Sequence, residues 1–182
     1  MNKSIKLATL IPVVCLSLLM TACTTTDNTA QNGHGAAGEH QMQAYHLGPI
    51  TPQELLSRFQ IFAINKKNDQ SQISDLEVLD FANQLNNKKM VVVFGTWCHD
   101  SQREIPRLLN LLDKVNAQHS DIKYDIEFIA AAPYEKRDPA LIKKYDLSAV
   151  PTIMLFDQDQ EMGRVVENTP LSLAAAFVNM KL

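Results

Sequence analysis

The sequence predicts an α/β fold with a helical extension at its N-terminal side. Three observations lead there. Met90 to Phe94 is a continuous apolar, mostly β-branched run, bounded by Lys88-Lys89 and Gly95. Such a run suits a strand covered on both faces, as in a parallel sheet. Directly behind it, Ile105 to Val115 has the periodicity of an amphipathic helix. Further on, strand-like and helix-like segments alternate and end in a hairpin and a last helix.

Before that core strand, Thr51-Pro52-Gln53-Glu54 has the form of a helix start, with Thr51 as cap, Pro52 in the first turn and Glu54 completing a capping box. Leu55, Leu56, Phe59 and Phe62 give this helix an apolar face, and Lys66 to Gln72 reads as a polar loop. Ser74-Asp75-Leu76-Glu77 repeats the capping box, with Leu76, Leu79, Phe81 and Leu85 apolar behind it. These two helices are expected to pack on the core. The first could take over contacts of an initial strand.

After the core strand, a long helix is expected from Ser101 to about Gln118, kinked near its first turn by Pro106. Tyr124 to Ala132 reads as a second strand, and Asp138-Pro139 starts a short helix to about Tyr145. Ile153 to Phe156 and Gly163 to Val166 form a hairpin around Asp157-Gln158-Asp159-Gln160. Leu171 to Met180 closes the chain as a helix.

The chemistry concentrates where the core strand meets the long helix, at Gly95-Thr96-Trp97-Cys98-His99-Asp100-Ser101. The first N–H groups of a helix lack intrahelical partners, and its dipole puts partial positive charge there. Both favour a thiolate, the form of Cys98 that acts as nucleophile. Ser101 lies one helical turn on; its hydroxyl is expected to reach the sulfur, or else only to cap the helix. Asp100 could bond the helix amides or pair with His99.

Val-Val-Val-Phe-Gly-Thr-Trp-Cys-x-x-Ser, then Pro106, then Val150-Pro151-Thr152, resembles the thioredoxin superfamily. Trp97-Cys98-His99-Asp100-Ser101 with Arg103-Glu104-Ile105-Pro106 resembles, more narrowly, bacterial thioredoxin-like proteins with a Cys-x-Asp-Ser site. The resemblance runs from about Lys88 to the C-terminus. It implies a thioredoxin-like three-layer α/β/α sandwich, with Cys98 as the residue that attacks disulfides. Trp97 matches the aromatic beside the thiol, and His99 and Asp100 the positions that tune it. Pro151 matches the cis-proline, and Val150 the residue that pairs with substrate backbone.

Two departures narrow the activity. The resolving Cys of the usual pair is Ser101, and the buried Asp expected six residues before the Cys is Val92. A mixed disulfide at Cys98 would therefore need an outside thiol to release it. A peroxiredoxin-type site needs Thr three residues before the Cys, where Gly95 stands. The implied function is monothiol thiol–disulfide exchange, reductase- or isomerase-like. The alternative is a non-catalytic binding or chaperone-like module that holds partners on the Trp97/Pro151 face. A cysteine-containing periplasmic protein or a small thiol is the expected partner.

The N-terminus carries its own signal. Lys3 and Lys6 precede an apolar stretch, Leu7 to Met20, that is short for a membrane span. Met20-Thr21-Ala22-Cys23 resembles a bacterial lipoprotein box. That implies a signal peptide over residues 1–22 and acylation of Cys23, with several chains giving firm anchoring. Thr24 after the Cys favours the outer membrane, by resemblance to enterobacterial sorting. Residues 23–44, rich in Thr, Gly, Ala, Gln and Asn, read as a flexible tether. Residues 45–87 are then the helical extension and 88–182 the thioredoxin-like core. Loss of Cys15 and acylation of Cys23 leave Cys98 as the one free thiol, in a disulfide-forming compartment.

Other classes are excluded or unsupported. With 182 residues, 46% hydrophobic, the chain can bury one ordinary core. Its net charge of −3, without a basic cluster, speaks against nucleic acid. His34, His40 and His46 have a spacing that suits neither helix nor strand ligation, so no metal or other cofactor is expected.

Overall fold

The computed structural model describes residues 45–168 and 172–179. The signal peptide, Cys23 and the tether lie outside the described residues, as do Leu171 and Met180 at the ends of the expected last helix. In chain order the elements are β1 (Gly48–Pro49), α1 (Pro52–Arg58), α2 (Gln60–Asn68), α3 (Asp75–Leu85), β2 (Lys88–Phe94), α4 (His99–Gln118) and β3 (Tyr124–Ala130). A one-turn 3-10 helix (Tyr134–Lys136) follows, then α5 (Pro139–Tyr145), β4 (Thr152–Asp157), β5 (Gln160–Val166) and α6 (Leu173–Val178).

The strands form one sheet in the order β1-β3-β2-β4-β5. β2 runs parallel to β3, pairing Met90 with Ile126 and Phe94 with Ala130. It runs antiparallel to β4, pairing Val93 with Thr152. β4 and β5 form the expected hairpin, with a register shift between Leu155 and Phe156. This is the thioredoxin-like α/β/α sandwich that the sequence predicts.

The apolar run of β2 is explained by its two covered faces. Met90, Val92 and Phe94 join a large cluster with α2, α3, α4 and α6, whereas Val91 and Val93 face a smaller one with Tyr145, Leu147 and Val150. Phe62 of α2 meets Phe94 edge-on at 6.0 Å, and Phe94 meets Phe128 at 6.3 Å. The N-terminal helices thus contribute to the same core as the sheet.

Both capping boxes form. Thr51 N–H donates to Glu54 Oε2 at 2.9 Å and Ser74 N–H to Glu77 Oε2 at 2.9 Å, with the reciprocal bonds at 3.2 and 3.3 Å. Ser172, the cap of α6, also donates to Glu77 Oε1 at 2.7 Å, so one carboxylate ties the starts of α3 and α6. These bonds, the Ser74 N–H first and then the Ser172 and Ser74 hydroxyls, hold the Glu77 carboxyl below its ordinary range.

Four expectations are corrected. The first helix is two: Phe59 leaves helical geometry (φ −123°, ψ 84°) to turn its ring onto the core, and it caps both α1 and α2. Lys66 to Asn68 belong to α2 rather than a loop, because α4 holds them: Asn110 Nδ2 donates to Lys66 O at 2.9 Å and Lys66 pairs with Asp113 at 2.6 Å. Leu76 and Leu79 are exposed, and the buried face of α3 is Val78, Phe81, Ala82 and Leu85. The first helix also replaces no strand, since Gly48–Pro49 itself pairs with Ala130 and Ile129.

Pro106 lies inside the 20-residue α4. A proline has no N–H to give the carbonyl four residues earlier. Asn65 of α2 fills that gap, donating from Nδ2 to Gln102 O at 2.7 Å. Asn65→Leu is therefore expected to cost about 1–3 kcal/mol, by leaving a part-buried carbonyl unpaired. In a Pro106→Ala background the restored N–H should shrink that cost in urea unfolding, whereas additive losses would contradict the assignment. The lowered Glu77 carboxyl makes a second expectation. A depressed carboxylate contributes stability above its unfolded value, about 4.5, that is lost as pH falls through its folded value. Glu77→Gln should flatten the acid limb of the stability profile below that pH; an unchanged limb would contradict it.

Candidate functional site

Three chain segments meet at one end of the sheet. Because β2 and β3 are parallel and β4 is antiparallel to both, the ends of β2 and β3 and the start of β4 lie together. The segments are Gly95–Cys98, Ala131–Asp138 and Ala149–Pro151.

The turn from β2 into α4 is closed by Cys98 N–H donating to Gly95 O at 3.1 Å. Cys98 is the N-cap of α4, with extended backbone and no side-chain cap bond of its own. Gly95 is required here: a Cβ on it would lie 2.7 Å from Cε2 of the Trp97 indole, which folds back over it. The indole is held by Nε1 donating to Ala131 O at 2.9 Å.

Cys98 is half-buried and free. Its Sγ donates to Val150 O at 3.2 Å, so the thiol form is engaged by the residue before the proline. The Val150–Pro151 bond is cis. That loop is braced by Thr152 Oγ1 donating to Ala149 O at 2.8 Å and Glu167 N–H donating to Pro151 O at 2.7 Å. Trp97, Cys98, Val150, Leu141 and Tyr145 belong to the smaller apolar cluster. The expected neighbours Trp97, Val150 and Pro151 are thus brought to the thiol.

Ser101 is placed otherwise than expected. It is fully buried, and its Oγ accepts from Gly95 N–H at 3.1 Å. No Ser101–Cys98 bond forms among the described residues, and Ser101 does not cap the helix. The reason is geometric: α4 starts at His99, so Ser101 points inward at the strand end that the ladder no longer serves. Asp100 pairs with Arg103 at 2.7 Å, one turn along the helix, rather than with His99 or the helix amides. His99 is exposed.

Sequence reasoning missed three residues. Thr96, buried, accepts from His46 N–H at 3.2 Å on Oγ1 and from Gln102 Nε2 at 2.9 Å on its carbonyl, tying the segment before β1 to the turn. Glu104 is buried, with Oε1 paired to Arg103 at 2.7 Å and Arg107 at 3.0 Å. The acid between two arginines on the apolar side of α4 was its signal. Arg137 is buried in the loop after β3. No group of three or more His, Cys, Asp or Glu among the described residues could hold a metal, and no described helix is long and apolar enough to cross a membrane.

Ser101→Ala removes the acceptor of a buried backbone N–H and should cost about 1–3 kcal/mol in chemical unfolding. Because the chain has one Trp, fluorescence reads this site directly, and Gly95→Ala should shift the Trp97 emission by displacing the indole. An unshifted spectrum in a folded Gly95→Ala protein would contradict the close approach.

No protein-family model matches the chain, and no curated protein sequence matches it. Solved structures do. A protein of unknown function, PA1234 from Pseudomonas aeruginosa, is similar at 16% identity and a TM-score of 0.46, over 70% of this chain and 87% of that one. Mitochondrial thioredoxin 3 from Saccharomyces cerevisiae is similar at 20% identity and 0.33, over 57% and 89%. Trxlp from Edwardsiella tarda is similar at 18% identity and 0.38, over 59% and 92%. The strand order, with a cysteine capping the helix after the central strand and a cis-proline loop against it, gives the described chain a thioredoxin-like fold.

Proposed function

We propose that the protein is a thiol–disulfide exchanger acting through Cys98 alone. The observation that carries this reading is the position of Cys98. It is half-buried at the N-cap of a 20-residue helix, against the carbonyl of Val150 and beside a cis-proline. A helix N-terminus carries unpaired N–H groups and the positive end of the dipole, a setting suited to a nucleophilic sulfur.

The thiolate attacks one sulfur of a partner disulfide. A Cys98–partner S–S bond forms, the partner's own S–S bond breaks, and its second sulfur leaves as a thiolate that takes a proton from solvent. No net oxidation occurs. Ser101 cannot complete a second step, since a hydroxyl does not displace a thiolate and this one is turned to Gly95. A second thiolate, from a small molecule or from the partner itself, attacks the partner's sulfur in the mixed disulfide; a new S–S bond joins those two sulfurs, the bond to Cys98 breaks, and Cys98 leaves as the thiolate. Isomerisation of a partner with several cysteines fits this cycle, and so does reduction where a second equivalent of small thiol is consumed. Trp97 and the Val150–Pro151 loop form the walls against which the partner chain would lie. His99, exposed, would meet it.

The same proposal extends to place. A Cys23 acylated after removal of residues 1–22 would hold the domain on a bacterial membrane, outer in preference to inner, facing the periplasm. The partner would then be a cysteine-containing periplasmic protein or a small thiol. Acyl chains on Cys23 are checked by mass spectrometry of the protein from a bacterial membrane fraction, where an unmodified Cys23 would remove the anchor.

A scrambled disulfide protein incubated with this protein and a small thiol should regain its native pairing faster, and Cys98→Ser should abolish the gain. Wild type no faster than Cys98→Ser would overturn exchange and leave a binding or chaperone-like module, measured by capture of the unfolded partner without Cys98.

A further inference from the structure

We propose that Arg137 is a carboxylate-binding subsite beside Cys98, selecting disulfides that carry an acidic group next to the reacting sulfur. The proposal rests on the exchange reading for its biological substrate. The subsite itself stands on separate observations.

Arg137 is 6% exposed, and both its Nε and its Nη1 are buried without a hydrogen-bond partner among the described residues. An arginine stays charged under all ordinary conditions, and an unpaired buried cation is costly. Among the described residues its side chain is compensated by the Tyr134 ring, 5.4 Å from the guanidinium carbon to the centroid. A cation–π contact offsets only part of that cost. Arg103, Arg107 and Arg164 show the contrast, since each reaches a carboxylate at 3.0 Å or less. Arg137 has the donors for such a partner and lacks it.

Its place gives the missing acceptor a meaning. Arg137 follows the one-turn 3-10 helix in the loop that leaves β3 at the thiol end of the sheet. One side of that loop is anchored to the site, because Ala131 O accepts from the Trp97 indole. On its other side is α5, whose Leu141 and Tyr145 pack in the cluster that holds Trp97 and Cys98. The loop that carries Arg137 therefore borders the thiol end of the sheet, the end that a bound partner would meet. Tyr134 lies over the guanidinium and is 64% exposed, so it acts as a cover that must turn aside to admit a ligand. A guanidinium presents its donors in a planar fork that matches a carboxylate in two bonds. The acid could come from a side chain of a partner protein or from a small acidic disulfide.

Alkylation of Cys98 separates charge selection from thiol reactivity. Iodoacetate and iodoacetamide each form an S–C bond and release iodide, and they differ in charge. Their rate ratio, taken at one pH and low salt, cancels the intrinsic reactivity of the thiolate. Arg137→Gln should lower the iodoacetate-to-iodoacetamide ratio several-fold, Arg137→Lys should keep most of it, and Arg137→Gln should remain folded by circular dichroism with an unchanged or higher Tm. An unchanged ratio in Arg137→Gln, or its failure to fold while Arg137→Met also fails, would overturn the subsite.

Two further arms identify the source of the acid. One compares wild type with Arg137→Gln in mixed-disulfide formation with glutathione disulfide. The other uses a peptide disulfide bearing Glu or Gln beside its Cys. A several-fold loss with glutathione disulfide supports a small acid, and a loss confined to the Glu peptide supports a protein segment. Equal rates of exchange in both proteins would overturn the subsite. A ratio that depends on Arg137 in a protein that exchanges with no disulfide would keep the subsite and overturn the exchange reading.

Discussion

The bond from Gly95 N–H to the buried Ser101 hydroxyl is the constraint on which the site depends. At Gly95 the chain leaves a strand buried on both faces and must enter a helix within four residues. The ladder bonds stop there, yet the surroundings stay dry, so each released backbone group needs another partner. Ser101 takes the N–H and Cys98 N–H takes the carbonyl. With both ends of the turn held, the Trp97 ring can lie over the glycine, and the sulfur is left facing Val150 O. Ser101 is thus part of the turn itself.

The two faces of the sheet are built unequally, and this shapes the site. One face carries α2, α3, α4 and α6 over a large apolar cluster, closed by the Phe62–Phe94–Phe128 contacts. The other has α5 and a smaller cluster, against which Trp97 and Cys98 pack directly. A sulfur at such a margin is held by apolar neighbours while the residue stays partly accessible. Rigidity on the heavy face supports this. Asn65 and Asn110 clasp α2 to α4 through carbonyls, one of them released by Pro106, so the helix that begins at the thiol is braced along its length.

Much of this was legible in the sequence because its causes are local. A continuous β-branched run marks a doubly covered strand, Thr51/Glu54 and Ser74/Glu77 mark helix starts, and Cys98 after Gly-Thr-Trp marks a strand-to-helix turn. What stayed illegible depends on distant partners. Phe59 breaks a helix whose pattern was continuous, because its ring is drawn to the core. Lys66 to Asn68 stay helical because α4, about 40 residues away, supplies bonds. The inward turn of Ser101 follows from where α4 begins, and element ends are what periodicity fixes least well. Gly48–Pro49 is too short to register as a strand at all. Arg137 stands in a polar stretch of the sequence, and only the fold buries it.

The central claim is that Cys98 exchanges disulfides without an internal resolving step. The most direct measurement is an intact-mass time course of the purified protein with glutathione disulfide, followed by addition of reduced glutathione. The account predicts a single adduct on Cys98 that persists until the thiol is added and then clears, with no adduct in Cys98→Ser. A protein that forms no adduct, or whose adduct survives the added thiol, would contradict it.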